Sequence, residues 1–209
     1  MHTEFDNLTI PAPVERARRR RIAGREPARH SVDRFQSVAR ALAGRGDVPT
    51  LDGIASAARR LLEAHAGHAV VPGIRQRRRC LQALRMLARE PGWSLAPDQA
   101  RRIALLSGYD QGDQRLVPDG VPVIGGLDTA VLLDLAWPEV AAEAEAYLDF
   151  RRMRIEEALL RGLHPRDFRF GRDEWLEASR AERALIAHVR ERGQQSYVPG
   201  APPPLFVVH

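Results

Sequence analysis

The chain has 209 residues, enough for one sizeable domain or one domain with extended ends; 44% hydrophobic and 28% charged residues exclude the disordered and fibrous classes. All 32 basic residues are arginines and the net charge is only +5, so the high isoelectric point reflects a group that never deprotonates rather than a strongly basic surface. The lone cysteine, Cys80, excludes an internal disulfide framework and points to a reducing, cytoplasmic compartment.

Residues 1–30 read as an extended basic arm. Pro11 and Pro13 interrupt regular structure, and the adjacent guanidiniums of Arg18, Arg19, Arg20 and Arg21 repel one another. The stretch lacks the apolar centre of a secretory signal. From Ser31 the pattern turns helical: Val32, Phe35, Val38, Ala39 and Leu42 recur at three- and four-residue steps until Gly44 and Gly46. A second helix follows Thr50, with Leu51, Ile54, Ala58, Leu61 and Leu62 on one face, and ends near Gly67. A third runs from about Gly73 to Glu90. Its Cys80, Leu81, Leu84, Leu87 and Ala88 share an inner side, where Cys80 is expected as a small core residue. Arg75, Arg78, Gln82, Arg85 and Arg89 line the other side. Pro97 and Asp98 open a fourth helix, for which Gly108 is placed as the C-terminal cap.

The longest apolar run, Val121–Trp137, contains Asp128 and Asp134. A carboxylate at a bilayer centre costs about 2.5–3.5 kcal/mol, so this run predicts a buried element of a helical domain and no transmembrane span. The spacing gives a short helix over about 128–136, then a long one from Pro138 to about Arg161, stopped by Gly162. In the long helix acidic residues come early and arginines late, complementing the helix dipole. A last helix over about 173–192 is expected to turn Trp175, Leu185, Ile186 and Val189 inward. The tail 193–209, rich in proline, reads as extended, with Leu205-Phe206-Val207-Val208 as an apolar end that could dock on a surface. The sum is an all-α bundle of about six or seven helices over residues 31–192, with an extended basic N-terminal arm and a Pro-rich C-terminal tail.

The central segment is the most distinctive. Val117-Pro118-Asp119-Gly120 spells a tight turn, with proline at the first corner and aspartate and glycine after it. Pro122 keeps Val121 extended, and Gly125-Gly126 lets the backbone bend into the next helix. Asp128 is expected as that helix's N-cap, accepting from the Val131 amide, with Leu127 and Leu132 as a hydrophobic staple. Pro118, Asp119, Pro122, Gly125 and Asp128 thus form a structural motif.

The string Leu116-Val117-Pro118-Asp119-Gly120-Val121-Pro122-Val123-Ile124-Gly125-Gly126-Leu127-Asp128 resembles the Leu-Ile-Pro-Asp-x-Ile-Pro-x-Ile-Gly-x-Leu-Asp-Asp pattern of the YkvA family, small bacterial helical proteins. The similar region spans about residues 110–162, roughly a quarter of the chain. Arg115 stands where the family usually has aspartate, and Thr129 replaces the second aspartate of the closing pair. The resemblance implies a helical fold and brings no established activity, only a suspicion of membrane association.

Asp110, Asp113, Asp119 and Asp128 gather oxygen donors of the kind a divalent cation takes. Their spacing fits no EF-hand, and Asp119 and Asp128 already serve as turn former and cap, so the structural reading is preferred. His65 and His68 are three apart at a helix end but lack the further ligands a zinc site needs. His164 and His188 have no catalytic context, and no cofactor motif is present. The leading expectation is therefore a non-enzymatic helical interaction or scaffold protein with a protein partner. The first alternative is nucleic-acid binding through Arg18–Arg21 and the face of Arg75, Arg78, Arg85 and Arg89, whose guanidinium forks suit phosphate; no aromatic residue is interleaved there for base stacking. The second is a peripheral membrane-surface protein using the arginines and the apolar tail.

Overall fold

The computed structural model describes residues 20–195 except 45, 68 and 92. Arg18, Arg19, His68 and the tail beyond residue 195 lie outside them. The protein is all-α. Among the described residues six helices follow one another: α1 (Arg29–Ala43), α2 (Leu51–Ala64), α3 (Pro72–Leu87), α4 (Pro97–Asp110), α5 (Leu127–Leu160) and α6 (Arg172–Gln195). Among the described residues extended backbone pairs in two isolated bridges, Ile22 with Arg25 and Val70 with Val123.

Local chemistry sets the helix ends. Thr50 caps α2 by accepting from the Gly53 amide at 3.1 Å. Pro72 and Pro97 take first-turn positions in α3 and α4, where a missing N–H costs nothing. Residues 20–28, expected as part of a free arm, are tied down: Ile22 and Arg25 exchange backbone hydrogen bonds around a turn, Ile22 is buried, and Arg20 reaches Asp52 at 3.7 Å.

The chain forms two compact units, residues 1–149 and 150–209, with the boundary inside α5. In the first, α4 packs against α1 and α3. Phe35, Ala39 and Leu42 from α1, Ile54 and Ala58 from α2, Ile74, Leu81, Leu84 and Leu87 from α3, and Ile103 and Leu106 from α4 are buried, as are Leu127, Leu132 and Leu133 of α5. Phe35 meets Tyr109 edge to face with ring centroids 6.2 Å apart. Trp93 meets Tyr147 likewise at 5.7 Å, and their polar tips bond to Glu143 and Glu90. The aromatic bodies are thus buried without leaving an N–H or O–H unpaired.

In the second unit, Phe150 stacks on Phe170 and Phe170 on Phe168. The end of α5 is closed by a Schellman motif. The Leu163 amide donates to the Ala158 carbonyl and the Gly162 amide to Leu159, with Gly162 at φ 68°. The Gly171 amide donates to the Glu174 carboxylate at 2.9 Å and opens α6.

Several expectations need correction. The predicted break before Pro138 is absent: α5 runs unbroken through it. Proline removes the bond to the Asp134 carbonyl and costs about 3 kcal/mol. Leu132, Leu133 and Ala136 before it and Val140 and Ala144 after it are buried, however, and that burial outweighs the loss while Pro138 itself stays exposed. Gly108 does not cap α4, which continues to Asp110 because fully buried Tyr109 anchors the next turn. Cys80 is half-buried rather than central, and burial still pushes its thiol pKa up. In α6, Leu185, Ile186 and Val189 do not face inward; they are 62%, 45% and 59% exposed.

Candidate functional site

The central loop is three consecutive turns. The Val121 amide donates to the Pro118 carbonyl at 3.1 Å, so the first turn spans residues 118–121, one residue later than its sequence suggests. The Ile124 amide then donates to Pro122 across a single residue, Val123, at φ 69°. A β-branched residue there is strained. Two bonds of the bridge to α3's approach hold it: the Val71 amide donates to the Val123 carbonyl and the Val123 amide to Ala69, both at 3.0 Å. The third turn, Ile124–Leu127, places Gly126 at φ 80°, the corner that glycine favours. Gly125 is fixed by contact: a Cβ there would lie 2.3 Å from the Asp119 carbonyl oxygen.

Three aspartates pin this loop. Asp128 is completely buried inside the first turn of α5 and does not act as its N-cap. The Gly126 carbonyl accepts the first helical bond, from Ala130. The Asp128 Oδ2 instead faces back into the loop, accepting from the Tyr109 hydroxyl at 2.6 Å and the Val117 amide at 3.0 Å. The Tyr109 oxygen in turn accepts from the Leu116 amide. One carboxylate and one phenol therefore satisfy two buried backbone amides that no secondary structure serves. Burial pushes the Asp128 carboxyl above the usual carboxylate range, against the hydrogen bonds from Tyr109 and Val117. Burial also raises the Tyr109 hydroxyl, and the neighbouring Asp128 charge adds to the rise.

Asp110 and Asp119 are clamped by arginines. Arg85 donates to Asp110 Oδ2 at 2.7 Å and to the Ser107 carbonyl, while the Thr129 hydroxyl donates to Asp110 Oδ1 at 3.1 Å. Asp119 Oδ2 takes Arg115 at 2.7 Å and Arg78 at 3.0 Å. Burial opposes the Arg115 charge, but its bond to Asp119 and the nearby Asp110 hold its pKa above the ordinary value. Asp113 is exposed and joins neither cluster. Among the described residues no group of three or more His, Cys, Asp or Glu is arranged to hold a metal ion. His65 caps α2 with its ring against the Leu61 carbonyl, and His188 is exposed.

The arginines of α3 separate by face. Arg77, absent from the sequence-derived list, is 2% exposed and donates through Nε to both oxygens of Asp134 at 2.7 and 3.0 Å. Its position three after Ile74 and four before Leu81, on the apolar stripe, was the available signal. Burial raises the Asp134 carboxyl, opposed by Arg77. Arg75, Arg78, Arg85 and Arg89, joined by Arg79, line an open groove of about 740 Å³ with Gln82, Met86 and Asp110 on its walls. Arg78 and Arg85 are engaged with Asp119 and Asp110. Arg75 bonds only the Val70 carbonyl, and Arg75, Arg79 and Arg89 are exposed and form no ion pair among the described residues.

Comparison with family models, with curated proteins and with solved structures finds no match to this chain. No helix among the described residues is long and apolar enough to cross a membrane.

Proposed function

We propose that this is a cytoplasmic, non-enzymatic interaction protein with a YkvA-like core, and that the α3 groove binds the phosphate backbone of nucleic acid. The observation that carries the reading is the unmatched charge of Arg75, Arg79 and Arg89 along one wall of a groove open enough to admit a polymer. Arg78 and Arg85, on the same groove, are held by Asp119 and Asp110. With no aromatic residue lining the groove, recognition rests on phosphate contacts rather than base stacking. The YkvA-like string Leu116–Asp128 supports the core assignment. The loop carboxylates, bonded to arginine, tyrosine and backbone amides, support a structural rather than catalytic role for them.

The test is fluorescence anisotropy of the full chain with labelled 20-base duplex DNA and single-stranded RNA over a salt series. Tight, salt-sensitive binding is expected. Arg75→Ala/Arg79→Ala/Arg89→Ala should weaken it more than tenfold and lower the slope of log affinity against log salt by about 2–3, one phosphate per arginine. Because these side chains hold no ion pair among the described residues, the thermal midpoint should stay within about 2 °C of wild type on the usual small effect of surface changes. Binding absent at 50 mM salt, insensitive to salt, or unchanged in the triple variant would overturn the reading. So would retention by phosphatidylserine vesicles with no affinity for either nucleic acid.

A further inference from the structure

Beyond Ser179, α6 continues through residues 180–193 with every side chain exposed. Roughly four turns of helix without packing are marginal in water, yet this stretch carries Leu185 and Val189 at 62% and 59% exposure. Trp175, Ala178, Glu182, Leu185, Val189 and Arg192 follow one another at alternating three- and four-residue steps, which is the seam of a coiled coil. At about 100° per residue, the centre of this seam lies roughly a quarter of a turn from Ser179, whose hydroxyl contacts Met153 of α5. Glu182, at the near edge of the seam, is met by Arg152 of α5, while Leu185, Val189 and Arg192 stand exposed.

The seam is self-complementary about Ala187. Leu185 and Val189 each lie two residues from it, and Glu182 and Arg192 each lie five. A two-fold axis at that level sets Leu185 against Val189 of a second copy, and the converse, giving two apolar layers. It sets Glu182 against Arg192 at both ends. Parallel pairing would oppose Glu182 to Glu182 and Arg192 to Arg192, so charge selects the antiparallel arrangement.

We propose that the exposed half of α6 is a homodimer interface in which two copies pair antiparallel through Glu182, Leu185, Val189 and Arg192. It rests on different residues from the groove and stands or falls separately from nucleic-acid binding. The occupant is a second copy because the two charges and two apolar residues complement themselves under one rotation, which a foreign partner would not require.

The experiment is sedimentation equilibrium of the full chain from 5 to 500 μM, with circular dichroism to verify folding. Wild type should shift with concentration from 23.4 kDa towards twice that mass. Leu185→Asp should abolish the shift. Glu182→Arg alone and Arg192→Glu alone should each weaken association about tenfold or more, and the double exchange should restore it to within about threefold. Arg152→Ala, which removes the exposed contact of Arg152 with Glu182 at 3.3 Å, should leave association unchanged. A monomer at 500 μM overturns the proposal, as does a dimer indifferent to Leu185→Asp. Failure of the double exchange to restore association also overturns it.

Discussion

Asp128 is the side chain on which the central loop depends, and its two simplest substitutions separate hydrogen bonding from charge. Asp128→Ala removes the acceptor for the Tyr109 hydroxyl and the Val117 amide, both buried. Each buried polar group left without a partner costs about 1–3 kcal/mol, so the loss should be about 2–6 kcal/mol in equilibrium urea unfolding. Asp128→Asn keeps a carbonyl oxygen to accept both bonds but cannot ionise. Between the ordinary carboxyl value of 3.8 and the raised native value, the folded chain holds a proton that the unfolded chain has already released. Stability from this group is therefore full below 3.8 and falls as pH rises through the native value. Asp128→Asn should abolish that fall and flatten the profile above pH 4, while its amide nitrogen, in the buried place of Oδ1, costs about 1–3 kcal/mol at every pH. Asp128→Ala within about 1 kcal/mol of wild type would refute the bonding argument. An unchanged pH profile in Asp128→Asn would refute the charge argument.

The same unfolding assay tests two further claims. Gly125→Ala must push the Asp119 carbonyl aside and should cost about 3 kcal/mol or more, whereas Gly162→Ala has open space and only its φ of 68° against it, about 1 kcal/mol; equal losses would contradict this contrast. Arg77→Ala strands the partly buried Asp134 carboxylate and should cost about 3–5 kcal/mol at pH 7, while Arg77→Met with Asp134→Leu should be near neutral or stabilising. A double variant as unstable as the single one would show that the pair stabilises through more than mutual compensation.

The helices were legible because their signals are local. Thr50 and the prolines at 72 and 97 mark starts, and Gly162 marks a stop. What sequence missed depends on neighbours. Pro138 is a local breaker that buried residues on both sides override. Leu185, Ile186 and Val189 have inward spacing but stand exposed. Arg77, Arg78 and Arg79 are consecutive and chemically identical, yet one is buried against Asp134, one clamps Asp119 and one is exposed in the groove. A charged residue's role is set by the carboxylate that the fold delivers to it, up to 57 positions away in the case of Asp134.

Thr129 and Arg115 show the same dependence. Thr129 is buried and donates to Asp110 Oδ1, while Arg85 occupies Oδ2. An aspartate at 129 would bring a second carboxylate against the first and leave both short of donors. Arg115 contributes a guanidinium 2.7 Å from Asp119 where an aspartate would add a like charge. The two residues act in the same direction, setting a hydroxyl and a cation at the loop's own carboxylates. Guanidinium groups meet Oδ2 of Asp110 and Oδ2 of Asp119. The loop thereby braces Arg78 and Arg85 on the helix from which Arg75, Arg79 and Arg89 project into solvent.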